Sequence, residues 1–141
     1  DLEVKFVRRD GDDTISVGVP VGDRHVNIAL SAERGRAHAI YTVDGKGADN
    51  NPASVKPGAL VNGREYTLDV KVVPNGDRAQ IEVQLDGRRL IRWEGRTASL
   101  SQSPGTREDP LCIWLEAADA RVTYREARLR VRSGAVRLGT L

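Results

Sequence analysis

The sequence predicts an all-β protein, an antiparallel β-sandwich, and three observations carry that expectation. Apolar residues alternate with polar ones over many short runs. Ile81, Val83 and Leu85 against Gln80, Glu82 and Gln84 show the period of two of a strand with one buried face. Turn-forming clusters such as Pro74-Asn75-Gly76-Asp77 and Asp86-Gly87 separate the runs. No window carries a sustained apolar stripe at helical spacing. About nine short strands punctuated by turns suit a sandwich or jelly roll.

The elements follow in order. Leu2, Val4 and Phe6 alternate with Glu3 and Lys5, and Arg9-Asp10-Gly11-Asp12-Asp13 predicts a hairpin turn into residues 14–20. There Ile15, Val17 and Val19 alternate with Ser16 and Gly18. Val21-Gly22-Asp23 leads to a strand over 24–30, with Val26, Ile28 and Leu30 on one face and His25, Asn27 and Ala29 on the other. A strand over 37–43 follows the Glu33-Arg34-Gly35-Arg36 turn, and its core face is ambiguous. Residues 44–64 are rich in Gly, Asn, Asp and Pro and have no period. So long a loop in a compact domain is often functional, although it also serves as an ordered connection.

Tyr66, Leu68, Val70 and Val72 then open a three-strand meander. It runs through 79–85, the Asp86-Gly87 hairpin and 88–94, with Trp93 on the core face beside Ile91. A second irregular stretch, 97–110, precedes a strand over 111–116. Leu111, Ile113 and Leu115 claim the core there and leave Cys112, Trp114 and Glu116 on the other face. The last strand, 122–131, carries Val122 and Tyr124 in one phase and Ala127, Leu129 and Val131 in the opposite one, which predicts a β-bulge near Arg125-Glu126.

A chain of 141 residues is long enough to bury a real core, and no linker divides it. Because Asp1-Leu2-Glu3-Val4 already alternates as a strand, the expectation is one sandwich domain over 1–141, excised from a longer protein. Its 22 basic and 20 acidic residues nearly balance, so a nucleic-acid partner is not expected. Cys112 is the only cysteine, which excludes an internal disulfide and a cysteine-cluster zinc site. No apolar stretch approaches the roughly 18 residues of a membrane helix. Oligomeric state cannot be read from the chain.

The order GREYTLDVKVV, RAQIEVQLDGRRLIRWEG, LCIWLEAADARVTYREARLRV resembles the concanavalin A-like lectin/glucanase superfamily. The likeness is greatest to bacterial laminin-G-like and 3-keto-disaccharide hydrolase-like domains, and it covers the second half of the chain well and the first half loosely. It implies two curved antiparallel sheets in a concanavalin-like jelly roll, with ligands on the concave face or its rim. It also implies a role as an accessory module outside the cytoplasm or at the cell surface. The glucanase members carry a Glu-x-Asp-x-Glu strand, which this sequence lacks.

No catalytic residue is assigned. Glu82, Glu94 and Glu116 lie far apart in sequence and read as solvated strand positions, and neither His25 nor His38 has a Gly-x-Ser-x-Gly motif beside it. Trp114 offers a flat apolar face with an N–H donor, suited to stacking on a sugar ring, unless it packs beneath the 44–64 loop. His25 and Asn27 share a strand face with small neighbours, and Asp49 and Asn50 lie in the long loop. The resemblance brings these five together as a candidate ligand-binding set for a glycan or protein partner. Asp10, Asp12 and Asp13, or Asp49 with Asn50, offer oxygen ligands of the calcium type. Neither group has EF-hand spacing, and no cofactor is expected. Arg128, Arg130 and Arg132 line one face of the last strand, where they grip anions or protect a sheet edge. The expected function is a non-catalytic carbohydrate- or partner-binding module. A glycoside-acting hydrolase and a structural spacer are the alternatives.

Overall fold

Ten strands form two five-stranded antiparallel sheets in a computed structural model that describes residues 1–101 and 112–134. In chain order they are β1 (Leu2–Gly11), β2 (Ile15–Val21), β3 (Arg24–Ser31), β4 (Ala37–Tyr41), β5 (Ser54–Val55), β6 (Glu65–Asn75), β7 (Arg78–Leu85), β8 (Arg88–Arg96), β9 (Trp114–Ala117) and β10 (Ala120–Leu129). Sheet A runs β10-β1-β6-β7-β8, and sheet B runs β5-β4-β3-β2-β9.

The alternation read from the sequence packs the sandwich. Leu2, Val4 and Phe6 of β1 and Leu68, Val70, Ile81 and Val83 of the meander join Ile15, Val17, Val26, Ile28 and Ile40 of sheet B in one buried cluster. Trp93 joins it beside Ile91, while Leu85 packs at its margin. The ambiguous β4 resolves through its register. Ile40 pairs with core-facing Ile28, so Ala37, Ala39 and Tyr41 face outward. There Ala37 and Ala39 form a second buried cluster with Ala29, Ala32 and Ala48.

Two local features match their sequence signals. Lys5 pairs with Glu126 but Phe6 pairs with Tyr124, so Arg125 is the extra residue of a bulge and the strand reverses phase there. At the β7–β8 turn Asp86 and Gly87 both take positive φ, 50° and 77°, as a two-residue hairpin requires.

Two expectations are corrected, and residues 44–64 form the ordered connection that was one of their two alternatives. β1 and β2 do not pair as a hairpin; the chain crosses from sheet A to sheet B between them. Both strands bury an apolar face, and laying those faces against each other across the core removes more apolar surface than side-by-side pairing does. The turn residues alone do not distinguish an arch from a hairpin. The 44–64 stretch is an ordered connection that contains β5, stapled by Asn51. Its Nδ2 donates to the carbonyls of Ile40 (2.8 Å), Lys46 (3.2 Å) and Gly47 (3.0 Å), and its Oδ1 accepts from the Ala53 amide (2.8 Å). In the strand expected over 111–116, residue 111 lies outside the described residues, as do 102–110 of the preceding stretch. β9 begins only at Trp114, and Ile113, ahead of it, is exposed rather than core.

Arg8 continues the inward row of Leu2, Val4 and Phe6 and is 4% exposed. Every acceptor around its guanidinium is neutral. Nε donates to Asn62 Oδ1 (2.5 Å), Nη1 to Ser31 Oγ (2.9 Å) and the Asp13 carbonyl (3.3 Å), and Nη2 to the Leu60 carbonyl (2.7 Å). The cation thereby ties β1 to the end of β3 and to the 60–62 segment.

Candidate functional site

The structure gathers three of the five sequence-selected residues on the outer face of sheet B. In the register Trp114 lies opposite Gly18, Gly18 opposite Asn27, and Asn27 opposite Tyr41. The Trp114 indole stacks on the His25 imidazole with centroids 3.7 Å apart and planes 12° from parallel. His25 Nε2 donates to the Cys112 carbonyl at 2.7 Å. The stack closes directly over Gly18, where a side chain would enter both rings.

This corrects the expectation of an open stacking surface. Trp114 points away from the core, but one ring face is taken by His25, and His25, Asn27 and Trp114 are 1%, 4% and 8% exposed. Small residues on the strand face let the two rings lie flat on the sheet instead of standing out from it. Asn27 Oδ1 is buried there with no hydrogen-bond donor among the described residues. Asp49 and Asn50 do not join the three. Asp49 forms ion pairs with Arg36 (3.4 Å) and Lys56 (3.6 Å), and Asn50 is exposed.

The aspartates considered for calcium serve the turns they occupy. Asp10 accepts from the Gly11 amide, Asp12 pairs with Arg34, and Asp13 accepts from the Thr14 amide and hydroxyl. The bonds from Thr14 and Arg34 hold the Asp13 carboxyl below its usual range, against the opposing effect of its burial. Among the described residues no group of three or more His, Cys, Asp or Glu is arranged to hold a metal.

An open groove lies on the other side of the molecule, on sheet A. It measures about 690 Å³, and its walls include Glu3, Asp69, Lys71, Glu82, Gln84, Arg128 and Arg130. Strand alternation turns these side chains outward, and pairing aligns them. Arg128 of β10 is opposite Glu3 of β1, Glu3 is opposite Asp69 of β6, and Asp69 is opposite Gln84 of β7. In the next row Lys71 is opposite Glu82.

Burial raises the Asp69 carboxyl above its usual range, and the facing Glu3 carboxylate raises it further. Glu82 Oε1 accepts from Gln84 Nε2 at 2.7 Å, which fixes the amide's orientation. Lys5, bonded to Glu126 at 3.2 Å, holds that carboxyl down at the edge of the face, with Arg128 contributing. The groove thus sets acceptors beside donors at the spacing of neighbouring strands, about 4.8 Å.

No family model, curated protein or solved structure matches this chain. The site therefore rests on its own geometry.

Sequence reading reached part of this groove. It placed Arg128 and Arg130 on one face and Glu82 on an outward one, but it did not bring Glu3, Asp69 and Gln84 to them. The missing signal was the pairing of β1 with both β6 and β10, which joins the two ends of the chain to its middle.

Proposed function

We propose that this chain is a non-catalytic β-sandwich module of a larger protein that binds carbohydrate in the groove on sheet A. The concanavalin-like jelly roll suggested by the sequence belongs to the same proposal. The observation that carries it is the row Arg128–Glu3–Asp69–Gln84, which lines an open groove with a guanidinium, two adjacent carboxyls and an amide. A sugar hydroxyl donates one hydrogen bond and accepts others, so a surface presenting carboxylate, amide and guanidinium groups side by side can satisfy several hydroxyls at once. The His25–Trp114 face supports this reading less well, because its aromatic surface is already stacked.

A glycan array followed by calorimetric titration of the hits tests it. Asp69→Asn and Gln84→Ala should each weaken binding about tenfold, the loss of one hydrogen bond to or from a strongly polar group. Absence of any glycan ligand, or full affinity in both variants, would refute the proposal.

One observation favours a second reading, a glycoside hydrolase. Glu3 and Asp69 face each other on adjacent antiparallel strands, where directly opposed residues have Cβ atoms about 4.5–5.5 Å apart. Asp69 has its carboxyl raised, as a general acid requires. Turnover of a disaccharide panel that disappears in both Glu3→Gln and Asp69→Asn would establish this reading over the first.

A further inference from the structure

Strand β8 is the outer edge of sheet A, and among the described residues only β7 pairs with it. Among the described residues, no strand pairs with the alternate backbone N–H and C=O groups of its other side. Along this edge Arg88, Arg89, Arg92 and Arg96 are exposed, and Arg78 of β7 is exposed beside them. Of the five, only Arg96 has a carboxylate of the described residues within ion-pair distance, Asp77 at 3.5 Å.

Arg78 and Arg96 stand directly opposite each other. Like charges in that position destabilise a sheet. Edge charges repel a like edge, and these five arginines, two of them opposed, also give the edge a local positive charge that an acidic strand complements.

We infer that the β8 edge is a docking strand for an extended acidic peptide of another protein. The register of β8 specifies the peptide's pattern. Trp93 and Ile91 point to the core, and Arg92, Glu94 and Arg96 point outward. The pairing shift between Val83 and Gln84 puts a bulge ahead of Ile91 and confines regular strand addition to 91–96. A strand added there sets carboxylates opposite Arg92 and Arg96, a neutral hydroxyl opposite Glu94, and small apolar residues at the two positions between. The pattern is acidic–apolar–hydroxyl–apolar–acidic, and it reads the same in parallel and antiparallel orientation. Backbone hydrogen bonds supply attachment, and the two arginines select charge. This edge lies outside the carbohydrate groove and does not depend on it.

Fluorescence anisotropy with a short synthetic peptide carrying Glu-Val-Thr-Val-Glu tests the inference, together with hydrogen exchange of the β8 amides. Saturable binding should protect amides in 91–96. The double substitution Arg92→Glu and Arg96→Glu should weaken binding about tenfold, two cross-strand charge pairs. The same variant should gain affinity for Lys-Val-Thr-Val-Lys, which separates charge selection from misfolding. Lack of saturable binding would overturn the inference, as would undiminished binding of a backbone N-methylated peptide. Equal affinity for polyphosphate would do the same, by marking a diffuse polyanion surface instead of a docking strand.

Discussion

Replacing Gly18 with alanine places a methyl group where two rings already sit. A Cβ built on Gly18 falls 2.3 Å from Trp114 Cε2, 2.6 Å from Trp114 Cδ2 and 2.6 Å from His25 Cε1. These are ring atoms of buried side chains, so rotating a flexible tip cannot relieve the overlap. Forcing a methylene into a packed site costs about 1–3 kcal/mol, and separating a stacked pair forfeits about 0.5–1.5 kcal/mol more. Gly18→Ala should therefore destabilise the fold by about 2–4 kcal/mol. For a chain of this size that lowers Tm by about 6–12 °C. Urea unfolding followed by near-ultraviolet circular dichroism measures both the loss of stability and the disturbed indole. Gly45→Ala supplies the scale of backbone strain alone. Its φ is 69° and its Cβ meets nothing within 4 Å, so it should cost about 1 kcal/mol. If Gly18→Ala were no more destabilising than Gly45→Ala, with an unchanged aromatic spectrum, the stack over Gly18 would not be the native arrangement.

Arg8→Lys should cost about 3 kcal/mol in urea unfolding, because one ammonium cannot reach the four neutral acceptors that the planar guanidinium spans; wild-type stability would refute that role. Gly87→Val should cost on the order of 1–2 kcal/mol from its φ of 77° alone, since no atom lies within 4 Å of the added Cβ, and an unchanged melting curve would contradict the turn. His38 links stability to pH. Burial lowers its pKa to about 4 from 6.5, and its Nδ1 accepts the Ser31 amide at 3.2 Å, so the fold holds the neutral ring. Its contribution is fully present above pH 6.5 and is lost as pH falls towards 4, by about 3 kcal/mol in all. Urea titrations across that window should show the loss, and His38→Gln should flatten it; an equal slope in the variant would assign the acid sensitivity elsewhere.

The strand faces were legible in the sequence because alternation is a local property. Ile81 and Val83 point inward for the same reason that Glu82 and Gln84 point outward, whichever strands flank them. The Arg125 bulge was legible too, since a single extra residue reverses the phase from Tyr124 to Ala127. Arg8 was not. A cation at the end of an apolar row reads as the place where a strand leaves the core, and its acceptors come from residues 13, 31, 60 and 62.

Trp114 shows where the two kinds of information divide. Its alternation with Leu115 gave the direction of the indole, away from the core. Its closure onto His25 depends on Gly18, which is distant from Trp114 in the chain and becomes its neighbour only through the β2–β9 register. The groove follows the same division. Each of Glu3, Asp69, Gln84 and Arg128 is outward by local pattern, but their alignment in one row requires β1 to lie between β6 and β10. By itself the sequence determined most of the strands, where the hairpins of the meander turn, and which side of those strands is apolar; the face of β4, the presence of β5 and the start of β9 came from the structure. Only the tertiary structure decided that β1 and β2 belong to different sheets and which charged side chains share a face. Periodicity sets a side chain's direction through its own backbone, whereas strand neighbours are chosen by how two whole sheets bury their apolar faces together.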